Sequence, residues 1–457
     1  MTDHSIHAAT TFLDSWLGYR ARNVDIPGFS VAIWSKDKIV FSKAYGLANL
    51  ERVRPLTTDV MFVAASHSKM FTMTAILQLV ERNKLRLDDA AQTHLPWLKE
   101  HKDHRVHAIT IRQLLSHSAG LIRDGLDTDF WILQKPFPTD QEVREMTLAA
   151  DLAIEPNTVL KYSNLGFGLL GQIITTVSGL PFTEYVTRHI IRPLHLQDTF
   201  ADYSPELNGR LVTAYGVPFE HIRPVLELRT TTGAFAPVVG VHGTPEDMCR
   251  FASAHCFGNT TLLSDESKRE AQRTQWCGTG YDSGYDYGLG FEIQRVGERR
   301  IVGHGAHLAG CLSATYFDPK EDLIVSVMAN CKDAPSTQIV RGIFEALDWF
   351  KEFAADKPVA KIQRLNARLC SPTSVVEVVA ASERIVLIDP DDWEPFTFGE
   401  TCEQIDPTTL KITTPGSVFN AQERLRYSFK QGVAQSVRYA GATFLSESIY
   451  KQRLRGV

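Results

Sequence analysis

The amino-acid sequence predicts a mixed α/β (α+β) protein, with an antiparallel sheet flanked by terminal helices, a helical subdomain and a small C-terminal β-barrel. Three observations lead to this prediction. Strand patterns lie near both ends of residues 1–350, helical patterns lie between them, and strand and turn patterns return after residue 360. The chain of 457 residues is also longer than one ordinary hydrophobic core accommodates. We therefore expect a large first domain over residues 1–356 and a smaller, antiparallel β domain over residues 361–457.

The first domain is predicted to begin with a helix over residues 6–22, because Leu13 and Leu17 recur there at helical spacing. Two strands over residues 29–34 and 39–44 follow, separated by a polar turn. The later elements predicted are a helix that starts near Ser66 and fades by Asn83, strands over residues 291–295, 300–303, 313–318 and 323–330, and a helix over residues 337–350.

The second domain is predicted from the alternation of apolar residues along its strands. Residues 357–360 look like a linker, and Leu425, Tyr427 and Phe429 alternate before a turn at residues 430–432. The best strand candidates are residues 385–388, 409–413, 425–429 and 433–439. Their spacing predicts a small antiparallel barrel or sandwich of about 85–100 residues.

Composition excludes several classes of partner. The net charge of -5 gives no electrostatic reason to expect nucleic acid or an anionic membrane. No apolar run reaches the length of a membrane span, and residues 1–9 lack the pattern of a secretory signal. The seven cysteines are odd in number and form no CxxC pair, which favours reduced thiols. These features predict a cytoplasmic protein.

Ser66 and Lys69 form the first candidate catalytic pair. They lie three residues apart at the start of an apolar helix, a spacing that places both side chains on one face. A serine hydroxyl becomes a nucleophile when a base removes its proton, and a lysine is such a base when burial and the helix dipole lower its pKa. By itself, this spacing is more often a chance pairing on a solvated helix.

Tyr162 is the second candidate. It lies in the segment Lys161-Tyr162-Ser163-Asn164, on a loop that leads into a helix rich in small residues. A phenol beside a lysine ammonium can lose or share its proton, which suits general-base work. The alternative is a packed tyrosine whose hydroxyl is simply hydrogen-bonded.

The third motif, Gly303-His304-Gly305-Ala306-His307, follows a predicted strand. Its glycines would let a substrate backbone approach the strand edge closely. A backbone N–H just after this segment, together with that of Ser66, would form an oxyanion hole. The alternative is a glycine-rich hairpin bend with a surface histidine.

In order and spacing, the three motifs resemble those of the class C β-lactamase, penicillin-binding-protein and esterase superfamily, especially its CubicO-like branch. The resemblance covers roughly residues 10–350. It also includes residues 26–28, 62–72, 85–89, 110–121, 178–182, 192–194 and 287–291. The strands of the second domain are similar, more weakly, to the lipocalin-like β-domains appended to some CubicO-branch peptidases.

This resemblance implies a role for each matched residue. Ser66 would be the nucleophile, and Lys69 and Tyr162 would handle its proton. The substrate-binding and oxyanion residues implied are Asn164, a positioning amide, with His304, Gly305 and the amide of His307 on the strand. No metal and no organic cofactor is implied.

His304 stands where many relatives have the lysine of a Lys-Thr-Gly triplet, which commonly helps to bind a substrate carboxylate. Because histidine is only partly charged at neutral pH, this exchange favours a small-molecule ester over a β-lactam. We therefore expect a carboxylesterase first, an amidohydrolase or peptidase acting on D-residues second, and a β-lactamase third. Acyl transfer remains open, as does a non-catalytic binding protein that keeps the fold, and so does assembly into a homo-oligomer.

Three further sets of residues have both a structural and a functional interpretation. The histidines at 101, 104 and 107 would need a matching carboxylate or cysteine to bind metal, and none is evident. His117 is expected to hold structure by hydrogen bonding. The aromatics Phe130, Trp131, Phe137 and Tyr285 would line an acyl pocket or pack in the core, at about even odds.

Overall fold

The computed structural model describes residues 2–227, 229–278, 284–351, 364–381, 383–415 and 420–456. By its internal contacts the chain divides into two compact units. The larger unit is Asp25–Val340, and the smaller combines Met1–Val24 with Arg341–Val457. The predicted linker at residues 357–360, and with it the predicted domain boundary, lies outside the described residues.

The larger unit is built on an eight-stranded antiparallel sheet. In spatial order its strands are β3 (Arg54–Pro55), β2 (Lys38–Asn49), β1 (Gly28–Ser35), β13 (Leu323–Ala329), β12 (Cys311–Asp318), β11 (Arg299–Leu308), β10 (Glu292–Val296) and β9 (Asp286–Tyr287). All seven residues of β13 are buried, because it lies in the middle of the sheet and is apolar on both faces. It pairs with β1, so Val31 lies opposite Val327 and distant segments of the chain meet in one sheet.

Helices occur throughout the rest of the larger unit, between loops, 3₁₀ turns and short strands. They are α2 (Ser68–Glu81), α3 (Ile111–Leu115), α4 (Asp140–Ala149), α5 (Asn164–Ser178), α6 (Phe182–Val186), which runs into a π-helical turn (Thr187–Ile191), α7 (Ala236–Val239), α8 (Pro245–Ser253) and α9 (Asp265–Gln272). Single 3₁₀ turns are Ala65–His67, Ala91–Thr93, Pro96–Glu100, His104–Ala108, Asp129–Ile132, Pro205–Leu207 and Gly233–Phe235. Short strands are β4 (Phe62–Val63), β8 (His242–Gly243) and β5 (Thr199–Phe200) in one sheet, and β6 (Ala214–Tyr215) with β7 (Val225–Leu226) in another.

Helix α2 lies in the interior of the larger unit. Every residue from Ser68 to Leu79 is buried. Its polar positions are tolerated because they are hydrogen-bonded: Thr72 Oγ1 donates to Pro237 O (2.7 Å), and Thr74 Oγ1 contacts Met70 O (2.8 Å). A helix that is buried on all sides holds its first turn in a fixed place.

The smaller unit contains a closed eight-stranded barrel, which confirms the predicted C-terminal β-barrel. Its strands are β14 (Ala367–Cys370), β15 (Val375–Ala381), β16 (Arg384–Ile388), β17 (Glu400–Asp406), β18 (Thr409–Ile412), β19 (Arg424–Lys430), β20 (Val433–Tyr439) and β21 (Ala442–Ser446), and a helix over Glu447–Leu454 follows. The interior is filled by apolar side chains such as Leu410, Leu425 and Val437, each fully buried.

Two long helices also belong to the smaller unit, wholly or in part. Helix α1 (Asp3–Asn23) begins earlier than predicted, because Thr2 and Ser5 form a capping box at its start. The indole N–H of Trp16 then donates to Pro390 O (3.1 Å), which ties this helix to the segment between two barrel strands. Helix α10 (Ser336–Lys351) begins in the larger unit and ends in the smaller one.

Two further features of the structure concern possible membrane-spanning helices and the state of the cysteines. Within the described ranges, no single helix has the length and apolar character needed to cross a bilayer. Asn164–Ser178 and Phe182–Ile191, bent by 75° at their junction, meet those limits only as a pair. All seven cysteines are free thiols; Cys277 is exposed, and the other six are buried.

Candidate active site

A cavity of about 1510 Å³ opens in the larger unit. Much of its wall is built from four segments that are far apart in sequence. They are the turn that carries Ser66, the loop before α5, strand β11, and the segment between β13 and α10. Six of the seven predicted site residues line this cavity, and Lys69 lies directly beneath it.

Ser66 lies in the 3₁₀ turn Ala65–His67, and α2 begins two residues later than the sequence predicts. The turn is tight because Ala65 has a left-handed φ of 49°, a conformation that costs energy in a residue with a Cβ. The Ser68 hydroxyl holds it by donating to Ala65 O (2.7 Å) and accepting from the amide of Val241 (2.9 Å). Ser66 is therefore presented at a fixed, strained corner.

Lys69 lies one helical turn behind the serine and has no exposed surface. Its Nζ is 3.1 Å from Ser66 Oγ and 3.3 Å from Val238 O. Burial lowers the pKa of Lys69 to about 7, against the opposing pull of the Asp124 carboxylate. A substantial share of the side chain is then a neutral amine at neutral pH, which is the state that accepts a proton.

Tyr162 approaches the serine from the loop before α5, and its hydroxyl donates to Ser66 Oγ at 3.3 Å. Burial raises the pKa of Tyr162 well above its usual value, which favours a neutral phenol over a phenolate. His117 fixes this loop: its Nδ1 accepts from the Ser163 amide (3.1 Å), and its carbonyl accepts from the Lys161 amide (2.7 Å). His117 thus has the structural role that its sequence predicts.

Asn164 occupies the first position of α5, and its amide Nδ2 donates to Asp124 Oδ1 at 2.6 Å. The carboxylate therefore orients the amide group, and both side chains line the cavity. Sequence reasoning missed Asp124 and its neighbour Arg123. The signal that points to them is their place directly after the matched segment at residues 110–121.

His304 and Gly305 lie inside β11, which runs on to Leu308, so the predicted end of this strand at residue 303 is wrong. The reason is that β12 pairs along the whole motif, with His304 opposite Thr315 and Leu308 opposite Cys311. The glycine-rich segment is therefore an ordinary part of the ladder. The turn comes only at Ala309 and Gly310.

Hydrogen bonds define the state of the His304 ring. Its Nδ1 lies against two acceptors, Gly305 O and Glu292 Oε1 (3.4 Å to the latter), so Nδ1 carries the proton. Its Nε2 lies 3.1 Å from the Tyr287 hydroxyl and accepts from it. Burial lowers the pKa of His304 well below its usual range. His304 is therefore neutral, and both nitrogens of its ring are hydrogen-bonded to other groups of the protein.

Glu292, the first residue of β10, is the partner that sequence reasoning missed. One carboxyl oxygen accepts from the Gly305 amide (3.0 Å) and from the Tyr316 hydroxyl. Burial raises the pKa of Glu292 to about 7. Its sequence signal is weak: a lone carboxylate that alternates with apolar residues at the start of a strand. It holds β11 at the point where β10 begins.

His307 completes the strand motif. Its Nδ1 lies 3.0 Å from Lys332 Nζ, and partial desolvation of the ring together with the nearby charge of Lys332 lowers the pKa of His307. It therefore accepts a hydrogen bond from the ammonium group of Lys332. Ser66 and His307 line the same cavity, and strand β11 runs against the serine turn. The oxyanion hole formed by their two amides stays a prediction.

The remaining candidates divide between core and cavity. Phe130 and Phe137 are buried in the core, whereas Trp131 and Tyr285 line the cavity. Two of the histidines near residue 100 contact backbone carbonyls: His101 Nε2 lies 3.0 Å from Ala150 O, and His107 Nε2 lies 3.2 Å from His101 O. Across the described residues, no group of three or more His, Cys, Asp or Glu side chains is placed to hold a metal ion.

Comparison with known proteins gives a consistent result. The family model described as Beta-lactamase matches residues 13–347. Protein flp of Staphylococcus aureus (strain MW2) is 29% identical over 187 residues, which are 41% of this chain and 37% of that protein. Penicillin-binding protein 4* of Bacillus subtilis (strain 168) is 28% identical over 304 residues, covering 63% of this chain and 64% of that protein. The chain thus spans less than two thirds of the length of either relative.

A solved structure extends the likeness to nearly the whole chain. The octameric penicillin-binding protein homologue from Pyrococcus abyssi matches with a TM-score of 0.66 at 20% identity. The match covers 95% of this chain and 99% of that one. At this identity the likeness shows the fold, and it confirms the predicted combination of a mixed α/β part with a C-terminal barrel.

Proposed function

Because this chain belongs to the Beta-lactamase family, we propose that Ser66 forms an acyl-enzyme with the carbonyl carbon of a small-molecule ester, which water then hydrolyses. The chain is a serine hydrolase of the β-lactamase and penicillin-binding-protein type. The contact that carries the proposal is Lys69 Nζ to Ser66 Oγ at 3.1 Å, made by a lysine buried from solvent. The alternative of a non-catalytic binding protein does not account for this contact.

The described contacts support Lys69 as the base in the first proton transfer. The neutral amine takes the proton of Ser66 as the hydroxyl oxygen attacks the carbonyl carbon. Negative charge then develops on the carbonyl oxygen, which becomes the oxyanion. The amides of Ser66 and His307 would hold that oxyanion. Tyr162, as a neutral phenol beside Ser66 Oγ, is placed to hand a proton to the leaving group.

The choice of an ester rests on His304. A β-lactam carries a carboxylate, and the residue that commonly binds it in relatives is here a neutral ring whose hydrogen bonds go to Tyr287, Gly305 and Glu292. Losing a charge-assisted contact costs on the order of 1–3 kcal/mol. A neutral ester needs no such contact and loses nothing.

We expect kcat/KM to be higher for a short-chain nitrophenyl ester than for nitrocefin, by roughly tenfold to a hundredfold on this charge argument. His304→Lys should narrow the ratio, because it restores a cation at that position. Steady-state kinetics of both proteins on both substrates measure it. Preference of the wild type for nitrocefin would contradict the ester proposal, and an unchanged ratio in His304→Lys would contradict the charge argument.

Amide hydrolysis is the second candidate, and the Tyr162 contact favours it. An amine leaves only after it is protonated, whereas a nitrophenolate leaves without a proton. A neutral phenol 3.3 Å from Ser66 Oγ is a donor at the right place. The relative named penicillin-binding protein 4* also gives this candidate some support. Hydrolysis of peptides with D-residues remains within this proposal.

Tyr162→Phe should lower kcat by about a hundredfold or more, as expected when a proton donor is lost. The loss should be larger for a D-aminoacyl nitroanilide than for the matching nitrophenyl ester. Combined with a Lys69 variant, the two losses should not add fully, because the side chains act on one hydroxyl. Near-normal turnover by Tyr162→Phe on both substrates would remove Tyr162 from proton transfer.

Three finer expectations stay proposals. Acyl transfer to a bound nucleophile would compete with water at the same acyl-enzyme. A cytoplasmic location agrees with the free thiols. Assembly into a homo-oligomer is supported by the octameric state of the Pyrococcus abyssi homologue, and light scattering of the purified protein tests it.

A further inference from the structure

Most of the large apolar side chains that are exposed in the described part of the larger unit lie in two turns. One is the hairpin between β6 and β7, where Phe219 is 77% exposed and Ile222 is 72% exposed. The other is the turn between β2 and β3. Together these exposed residues form an apolar patch: Leu50, Val53, Val217, Phe219, Ile222 and Val225. Contiguous exposed apolar surface on a folded protein marks a site of interaction.

A buried tyrosine joins the two turns of the patch. Tyr215 lies at the base of the hairpin, opposite Val225 of β7. Its hydroxyl accepts from the amide of Leu50 (2.7 Å) and donates to the carboxylate of Glu51 (2.8 Å), both in the turn between β2 and β3. Because the Tyr215 side chain is fully buried, it fixes the position of one turn relative to the other. The apolar residues of both turns therefore belong to one part of the surface.

The tip of the hairpin has a defined and strained backbone. The main chains of Phe219 and Ile222 exchange two hydrogen bonds, each of 2.9 Å. The two residues between them, Glu220 and His221, have left-handed φ values of 48° and 67°. Such values suit a tight hairpin turn but cost energy in residues that carry a Cβ. The tip therefore holds two large apolar side chains out at fixed positions.

Arg223 anchors the returning half of the hairpin to the body of the larger unit. Its guanidinium donates to Asp333 Oδ1 (2.7 Å), to Asp25 Oδ2 (3.0 Å) and to Gly216 O (3.3 Å). Only 6% of this side chain is exposed. The hairpin thus has one shape before any partner arrives, so little conformational entropy is lost when a partner covers it.

The charges at the margin of the patch complement each other across a twofold axis. Arg52 lies in the turn between β2 and β3, beyond the base of the hairpin, and Glu220 lies at the hairpin tip. Both side chains are exposed, and neither takes part in a described ion pair. A second copy turned through 180° brings Arg52 of each copy toward Glu220 of the other, so one contact pairs both charges twice. The described residues of the patch include no cluster of basic side chains, so an anionic membrane fits it less well.

We propose that the apolar patch is the contact between two copies of the chain related by a twofold axis, with the hairpin of each copy against the β2–β3 turn of the other. From their exposed fractions, the six apolar residues present roughly 600 Å², and a stable interface buries about 800 Å² on each partner. Polar residues at the margin, such as Arg52 and Glu220, make up the rest. The inference rests on the proposed assembly into a homo-oligomer and does not depend on the chemistry of Ser66.

Phe219→Ser tests the apolar contact. In static light scattering, the mass of the wild-type assembly should fall by about twofold or more in this variant, because an aromatic side chain buried in an interface contributes strongly to binding. Leu126→Ser is the matched control. Leu126 is 81% exposed but lies outside the patch, so this variant should keep the wild-type mass. Both substitutions are at the surface, and circular dichroism should show that both variants fold as the wild type does.

A charge exchange tests the arrangement of the two copies. Arg52→Glu and Glu220→Arg should each weaken the assembly, because each variant places like charges opposite one another. The double variant restores opposite charges and should recover the wild-type mass at the same protein concentration. A merely structural role of either residue would give no such recovery. Lack of recovery in the double variant overturns the twofold contact.

The same samples separate failure of the interface from failure of the other proposals. An unchanged mass in Phe219→Ser overturns the interface, although the homo-oligomer then stands and is made elsewhere. A wild type that stays monomeric at every concentration overturns both, whereas ester hydrolysis by these samples tests the role of Ser66 alone. Binding of a monomeric wild type to vesicles of phosphatidylcholine and phosphatidylglycerol, lost in Phe219→Ser, would give the patch to a lipid surface and overturn the proposal.

Discussion

Ser66→Ala should abolish both turnover and covalent labelling by a serine-reactive fluorophosphonate. The expected loss in kcat is about 10⁴-fold or more, because every later step needs the acyl-enzyme. The hydroxyl is presented by a strained turn and contacts Lys69 at 3.1 Å and Tyr162 at 3.3 Å, so an alanine removes the point at which both groups act. Peptide mass spectrometry of the labelled wild type should place the adduct on Ser66.

The control for this experiment is Ser116→Ala. Ser116 is a buried serine whose hydroxyl contacts that of Ser118 at 3.0 Å. This variant should still be labelled at Ser66. Labelling that persists in Ser66→Ala, at any serine and with turnover intact, would assign the nucleophile elsewhere.

Lys69→Met should lower kcat by about a hundredfold or more, since the side chain keeps its apolar length but loses the base. In the wild type, kcat/KM should rise with pH through about 7, because only the neutral amine accepts the proton of Ser66. The variant should lose this rise. A pH–rate profile of both proteins on a neutral ester measures it, and an identical rise in the variant would show that another group titrates.

The same substitution has an effect on stability with a definite sign. The pKa of Lys69 in the folded protein, about 7, lies below the value of about 10.4 for an unfolded lysine. Between these two pH values the unfolded chain binds more protons, so wild-type stability rises with pH across that window. Lys69→Met lacks this rise, and its stability relative to the wild type should be greatest below pH 7. Thermal unfolding at pH 6 and pH 9 compares them.

A second buried lysine offers a control for stability. Lys268 has no exposed surface, but its ammonium is engaged by Cys256 O at 2.9 Å and by Asp265 at 3.2 Å. Lys268→Met leaves these acceptors without their donor and should destabilise the protein. It should keep the pH dependence of kcat/KM, because it does not contact Ser66. The two variants thus separate burial of a lysine from its use as a base.

Local sequence was enough to predict that Ser66, Lys69 and Tyr162 form a trio of side chains in contact, whereas their catalytic roles stay a prediction. Ser66 and Lys69 are one helical turn apart whatever surrounds them, and Tyr162 lies in a motif whose loop-to-helix setting is also local. The strands of the barrel were predicted where apolar residues alternate, as in β19 and β20. Strand β17 was missed because Cys402 is the sole buried residue of its seven described positions.

The partners of the trio depend on long-range register, which one sequence does not reveal. Glu292 reaches Gly305 because β10 pairs with β11 so that Glu292 lies opposite Gly303. The same register brings it to His304 and fixes the tautomer of that ring. Lys332 contacts His307 although the two residues are 25 positions apart in the chain. Such contacts follow from the assembled sheet and not from any local pattern.

The strand order has a consequence for behaviour in concentrated solution. The outer strands of the large sheet, β3 and β9, are two residues long, and Pro55 in β3 has no N–H to offer. The barrel strands form a closed ring. Long, flat strand edges are the templates for intermolecular β-pairing and amyloid growth. The described barrel strands therefore present no such edge, whereas β2 pairs with β3 only at Leu47 and Asn49 and leaves the rest of its outer edge without a described strand partner. In crowded solution, edge-to-edge pairing of folded copies should therefore take place at β2 and not at the barrel.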